Sequence, residues 1–124
     1  MPFLLQDDPL FARGVDEFRA GRYFEAHEEW ERLWKTTSGS DRLFLQGLIQ
    51  LAAGLVHAER GRAAPAMRLF RLARQKLTGF PGDHAGLPLD RVRLALDARL
   101  TGLPPEGGAP LADGFRQLQS KEGT

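Results

Sequence analysis

Apolar residues recur three and four positions apart over most of this chain, and the rhythm stops at clusters of glycine, proline or serine. That spacing belongs to helices that bury one face. The first run opens at Asp7-Asp8-Pro9, an N-cap followed by proline in the first turn, and carries Phe11, Val15 and Phe18 to about Ala20. Gly21 breaks it. A second helix is predicted over about 22–36, with Thr37-Ser38-Gly39-Ser40 as the loop behind it. Ser40 or Asp41 would cap a third helix reaching about Arg60, apolar nearly all round and therefore the central one. Gly61 ends it, and a fourth helix runs from about Ala64 to Leu77 with Pro65 in its first turn. A turn-rich connection over 78–88 leads to a fifth helix over about Leu89–Leu100. Residues 102–124 are rich in Gly and Pro and read as a flexible tail, with a short helical turn at Leu111–Leu118.

At a spacing of 40 residues, Gly21, Ala26 and Trp30 return as Gly61, Ala66 and Phe70. A glycine between two antiparallel helices, then a small residue where they cross, is the grammar of helical-hairpin repeats. Two imperfect copies are too few for a solenoid and suit a compact bundle. The expected architecture is all-α: two antiparallel hairpins plus a C-terminal helix within a domain at 1–101, weakly repeat-like.

Composition narrows the functional classes. A chain of 124 residues has room for one core, and its 42% hydrophobic and 27% charged residues are ordinary for a soluble domain. A net charge of +1 gives no global draw towards nucleic acid or an anionic membrane. The absence of cysteine excludes disulfides and thiolate metal sites and fits a reducing cytoplasm. Met1–Asp8 has neither the basic region nor the apolar length of a signal peptide. The longest apolar stretch, Leu48–Val56, is interrupted by Gln50 and too short for a bilayer, so no membrane partner is expected and a cytoplasmic location is.

Candidate chemistry concentrates in residues 23–34, Tyr-Phe-Glu-Ala-His-Glu-Glu-Trp-Glu-Arg-Leu-Trp. At about 100° per residue, Tyr23, Trp30 and Trp34 form one stripe, flanked by His27 and Glu31, while Glu28 lies further round and Glu25, Glu29 and Arg32 face solvent. On the third helix Gln46, Gln50 and His57 form a polar stripe, with Ala53 in the remaining place. Buried polar groups need partners, so His27 and Glu31 are expected to meet Gln50, with Gln46 and His57 at the two ends of the cluster. Gly47 and Gly54 would admit a neighbouring backbone or ring at close range.

Three readings of the cluster stand at this point. It is a closed hydrogen-bond network that sets helix register. Or it holds a divalent metal ion through His27, Glu31 and His57, with Glu28 as general base of a small hydrolase. Or, with Trp34 beside it, it lines a pocket for a small ligand or peptide. His27-Glu28-x-x-Glu31 departs from the zinc-peptidase string in its last residue, and no histidine has the Glu three positions before it that a di-iron bundle uses. An aromatic strip left uncovered would serve as a homodimer interface.

Residues 60–76 carry Arg60, Arg62, Arg68, Arg71, Arg74 and Lys76 with no acid among them. Arg68 and Arg71, pointing outward, would bind phosphates or an acidic surface, against the plainer reading of a solvated outer face. Arginine supplies 14 of the 17 basic residues, a compositional bias that weakens the case for nucleic acid as partner. His84, in Gly-Asp-His-Ala-Gly, reads as exposed and incidental.

The two motifs Phe18-x-x-Gly21-x-Tyr23-Phe24-Glu25-Ala26-His27-Glu28-x-x-Glu31-x-x-Trp34 and Leu45-Gln46-Gly47-Leu48-Ile49-Gln50-Leu51-Ala52-Ala53 occur in order. On them, residues 10–78 resemble domain-of-unknown-function family 309. The resemblance implies a small all-helical domain, with His27, Glu28, Glu31, Trp34, Gln46, Gly47 and Gln50 at motif positions. It implies no activity.

Overall fold

The computed structural model describes residues 4–102. A single 3-10 turn at Leu5–Asp7 is followed by α1 (Pro9–Arg19), α2 (Tyr23–Trp34), α3 (Gly39–Glu59) and α4 (Ala63–Leu77). A two-stranded ladder, β1 (Asp83–His84) and β2 (Leu87–Pro88), then leads into α5 (Leu89–Thr101). The fold is all-α, as expected. The tail read at 102–124, with its turn at Leu111–Leu118, lies outside the described residues beyond Gly102.

Local chemistry explains most boundaries. The Asp8 carboxylate accepts from Leu10 N at 2.8 Å and Pro9 fills the first helical position, so α1 starts where its cap says it should. Helix α3 begins earlier than predicted. Its N-cap is Ser38, not Ser40 or Asp41, and Asp41 falls inside the first turn, where a carboxylate favours the positive end of the helix dipole. The ladder in the 78–88 connection was not expected. It pairs Asp83 with Pro88 and His84 with Leu87, and its two-residue turn puts both Ala85 (φ 52°) and Gly86 (φ 78°) in the left-handed region, the geometry of a type I′ hairpin.

The 40-residue echo is a physical one. Gly21 and Gly61 take φ of 82° and 74°, and the bonds around them repeat in register. Gly21 N donates to Phe18 O at 3.0 Å and Gly61 N to Ala58 O at 3.1 Å; Arg22 N donates to Glu17 O and Arg62 N to His57 O, both at 2.9 Å. The echo also reaches further back than the sequence suggested, to Gly14 and Gly54. The Trp30 indole lies over Gly14, where a side-chain methyl would overlap the ring. Phe70 lies over Gly54 in the same way, and a methyl there would sit 2.6 Å from the ring. Each hairpin is thus closed by an aromatic ring on a glycine of the facing helix.

Helix α3, 21 residues and about 31 Å long, packs against α2 and against α4. Its buried residues Phe44, Leu45, Leu48, Leu51 and Leu55 join Phe11, Phe18, Trp30, Phe70 and Leu96 in one continuous core. Phe18 sits between Tyr23 (4.8 Å, edge-on) and Trp30 (5.8 Å, stacked), which ties α1 to α2. Gly47, the remaining tight glycine of α3, meets the Leu77 side chain. Among the described residues no helix is long and apolar enough to cross a membrane.

Candidate functional site

On α2, Phe24, His27, Glu31 and Trp34 follow one another at three- and four-residue steps and therefore share a face. This face differs from the one expected. Tyr23 and Trp30 are buried in the core, while Trp34 is only half-buried and sits at its edge. Glu31 is the more open carboxylate, its side chain 48% exposed, and Glu28 is exposed outside the cluster. Glu29, expected in solvent, is tucked in instead, because α1 lies along that side: its carboxylate is 2.9 Å from Arg32 and 3.5 Å from Arg13, with 17% of the side chain exposed.

The His27 ring stacks under the exposed Phe24 at 6.1 Å, and its Nε2 is 3.4 Å from Glu31 Oε2. A carboxylate only accepts, so in neutral His27 the proton belongs on Nε2 and Nδ1 is left as an acceptor. That Nδ1 is buried and has no hydrogen-bond partner. At the far end of α2 the Arg42 guanidinium lies 3.7 Å over the Trp34 ring and donates to Trp34 O (3.1 Å) and Thr37 O (3.2 Å). Arg42 thereby satisfies carbonyls at the end of α2 and holds the short loop into α3. The Trp34 indole Nε1 is buried beneath it without an acceptor.

Helix α3 supplies the rest. Gln46, Gln50, Ala53 and His57 are all half-buried, a partly open stripe on a helix whose other sides are covered. Gln50 Oε1 and His57 Nδ1 are buried and unpartnered. The structure brings His27 and Glu31 into contact, and it leaves the Gln50 carbonyl oxygen without a hydrogen bond from either. His57 lies about 10 Å further along α3 than Gln50 by helical rise. Consistent with that spread, no three His, Asp or Glu side chains among the described residues come together as a group that could hold a metal ion, the His27, Glu31 and His57 of the metal reading included.

Phe24, one of the aromatics of the 23–34 segment, stands one turn from His27. Arg42 is a contributor that the sequence reading lacks, although a cation opening the helix that packs back on Trp34 is a visible signal. His84 is a further revision: the ladder folds it against Phe44 (4.6 Å) and Phe80 (4.9 Å), so it is a half-buried packing group. Away from this seam, Arg68 and Arg71 stand on the outer face of α4.

Two ion pairs carry shifted groups. A hydrogen bond from Arg22 holds the Glu17 carboxyl below its usual range, and one from Arg74 does the same for Asp97 on α5. Both lie outside the seam.

Residues 11–69 match the family described as Domain of unknown function (DUF309), which takes in both motifs and every residue of the seam. No curated protein matches the sequence.

Proposed function

We propose, from a helical family whose description assigns no activity, that this chain is a binding domain whose α2–α3 seam receives a small amide-bearing ligand or a short peptide segment. One observation carries the reading: His27 Nδ1, Trp34 Nε1, Gln50 Oε1 and His57 Nδ1 are all buried without hydrogen-bond partners. Leaving a buried polar atom unsatisfied costs about 1–3 kcal/mol, so four on the neighbouring helices α2 and α3 favour an occupant over a finished core. The set is mixed, with an indole N–H to donate and a carboxamide oxygen and an imidazole nitrogen to accept. A peptide amide offers the complement of both. From Phe24 to Trp34 the α2 face runs about 15 Å, the reach of four or five extended residues. An exposed aromatic stands at one end and an arginine-stacked tryptophan at the other, side chains suited to anchoring a partner.

The experiment is thermal unfolding of the wild-type chain and Gln50→Leu in the presence of N-acetyl amino-acid amides. A bound amide at about 100 times its Kd stabilises the wild type by about 2.7 kcal/mol, and that gain disappears in Gln50→Leu. Without ligand, Gln50→Leu is neutral or slightly stabilising, because it removes an unsatisfied acceptor. If no amide shifts the wild type and Gln50→Leu alone costs 1–3 kcal/mol, the seam is a closed structural network and the binding reading fails.

A further inference from the structure

Helices α2 and α4 occupy equivalent places in the two hairpins, so their outer faces can be compared position by position. Where α2 carries Glu28, Glu31 and Trp34, α4 carries Arg68, Arg71 and Arg74. The ring-on-glycine joint, the glycine turn and the hydrogen bonds around it are shared, so this skeleton accepts either sign at the first two of those places. Nothing in the packing of α4 calls for arginine at 68 and 71.

The three cations are not equally occupied. Arg74 is engaged by Asp97 through both carboxylate oxygens (2.7 and 3.2 Å) and donates to Thr78 Oγ1 at 2.7 Å, which ties α4 to α5. Arg68 and Arg71 have no acidic partner among the described residues. They lie three residues apart on one helix, a spacing at which like charges repel. Between them and the end of α5 is a hollow of about 480 Å³ lined by Arg68, Arg71, Leu72, Arg74, Gln75 and Leu100. Two uncompensated guanidinium groups over a floor containing two leucines present fork-shaped donors for an oxyanion next to an apolar surface. The hollow is shallow and open rather than an enclosed cleft.

We propose that this hollow binds a small organic phosphate, the phosphate taken by Arg68 and Arg71 and an apolar body resting on Leu72 and Leu100. The site is independent of the α2–α3 seam. Arg74 is a support: held by Asp97, it fixes the wall of the hollow.

The test is titration of the full chain with hexyl phosphate and, separately, inorganic phosphate, followed by amide chemical shifts of residues 68–75 and 97–101. Hexyl phosphate is expected to bind saturably and about tenfold more tightly than inorganic phosphate, since burying two CH₂ groups is sufficient for that ratio. R68Q/R71Q is expected to weaken hexyl phosphate binding at least tenfold with an unchanged unfolding midpoint, both residues being exposed. L100A should erase only the advantage of hexyl over inorganic phosphate. Equal affinity for the two phosphates would mean diffuse attraction to a basic face and overturn the site. No saturable shift at millimolar hexyl phosphate would overturn it too. So would a single-stranded RNA that binds more tightly than hexyl phosphate and depends equally on Arg60 and Arg62, which would make the face an extended backbone track.

Discussion

Helix α2 meets α1 on one side and α3 on the other, and the two interfaces treat polar groups differently. Against α1, Trp30 is fully buried, its ring lies on Gly14, and its indole N–H donates to Phe11 O at 3.2 Å. The neighbouring Glu29 carboxylate is held by Arg13 and Arg32. Against α3, Trp34 is half-buried, its indole N–H has no acceptor, and His27 and Gln50 each keep an open atom. The tryptophans are four residues apart, a rotation of about 40° around the helix. That rotation separates a finished joint from an unfinished one. The second hairpin repeats the joint, with Phe70 on Gly54, but changes the polar residues around it. Skeleton and chemistry are therefore carried by different positions, and substitutions can separate them.

The joints should break first. Gly14→Ala forces the Trp30 indole out of place and is expected to cost about 2–4 kcal/mol, beyond the usual overpacking range because backbone faces the full ring. Gly54→Ala should cost less, about 1–2 kcal/mol, since it meets a ring edge and alanine regains some helix propensity. Chemical denaturation of the two variants checks both values. Equal, near-zero costs would mean that the rings do not set these helix spacings.

The tryptophan pair gives a smaller and sharper contrast. Trp30→Phe deletes the indole hydrogen bond to the Phe11 carbonyl and shrinks a fully buried side chain, and should lose about 1–3 kcal/mol. Trp34→Phe deletes an indole N–H that has no acceptor and should change stability by less than about 0.5 kcal/mol without ligand. A large loss at Trp34 would place a partner on its N–H and close the seam.

The smallest effect concerns how the second hairpin is tied to α5. The hydrogen bond from Arg74 holds the Asp97 carboxyl below its unfolded value, so the pair stabilises the fold above the ordinary carboxylate range near pH 4. That contribution fades as the pH falls through the lowered value. Asp97 is half exposed, so Asp97→Asn is expected to cost only a few tenths of a kcal/mol at pH 7. Its melting temperature should converge with the wild type's as the pH falls below the ordinary carboxylate range. A difference independent of pH would mean that the side chain acts by packing.

Much of the fold was legible because its causes are local. Asp8 before Pro9 starts a helix by capping, and Gly21 and Gly61 end helices by adopting a backbone conformation that other residues avoid. The site was less legible. Periodicity put His27 and Glu31 on one face of α2 and Gln46, Gln50 and His57 in one stripe on α3, but it put Glu31 inside and Glu29 outside. Their exposure depends on where α1 lies, and a helical wheel carries no neighbour. His84 was misjudged for the same reason: an I′ turn at Ala85-Gly86 folds it onto Phe44.

The sequence by itself determined the five helices, the glycine turns at 21 and 61 and the 40-residue echo, since these follow from hydrophobic spacing and backbone stereochemistry within a few residues. Only the tertiary structure decided which tryptophan is core, which carboxylate is covered and which polar atoms remain unpaired. Those outcomes depend on which helix lies against each face, and that is set by long-range packing of rings on glycines rather than by any residue's sequence neighbours.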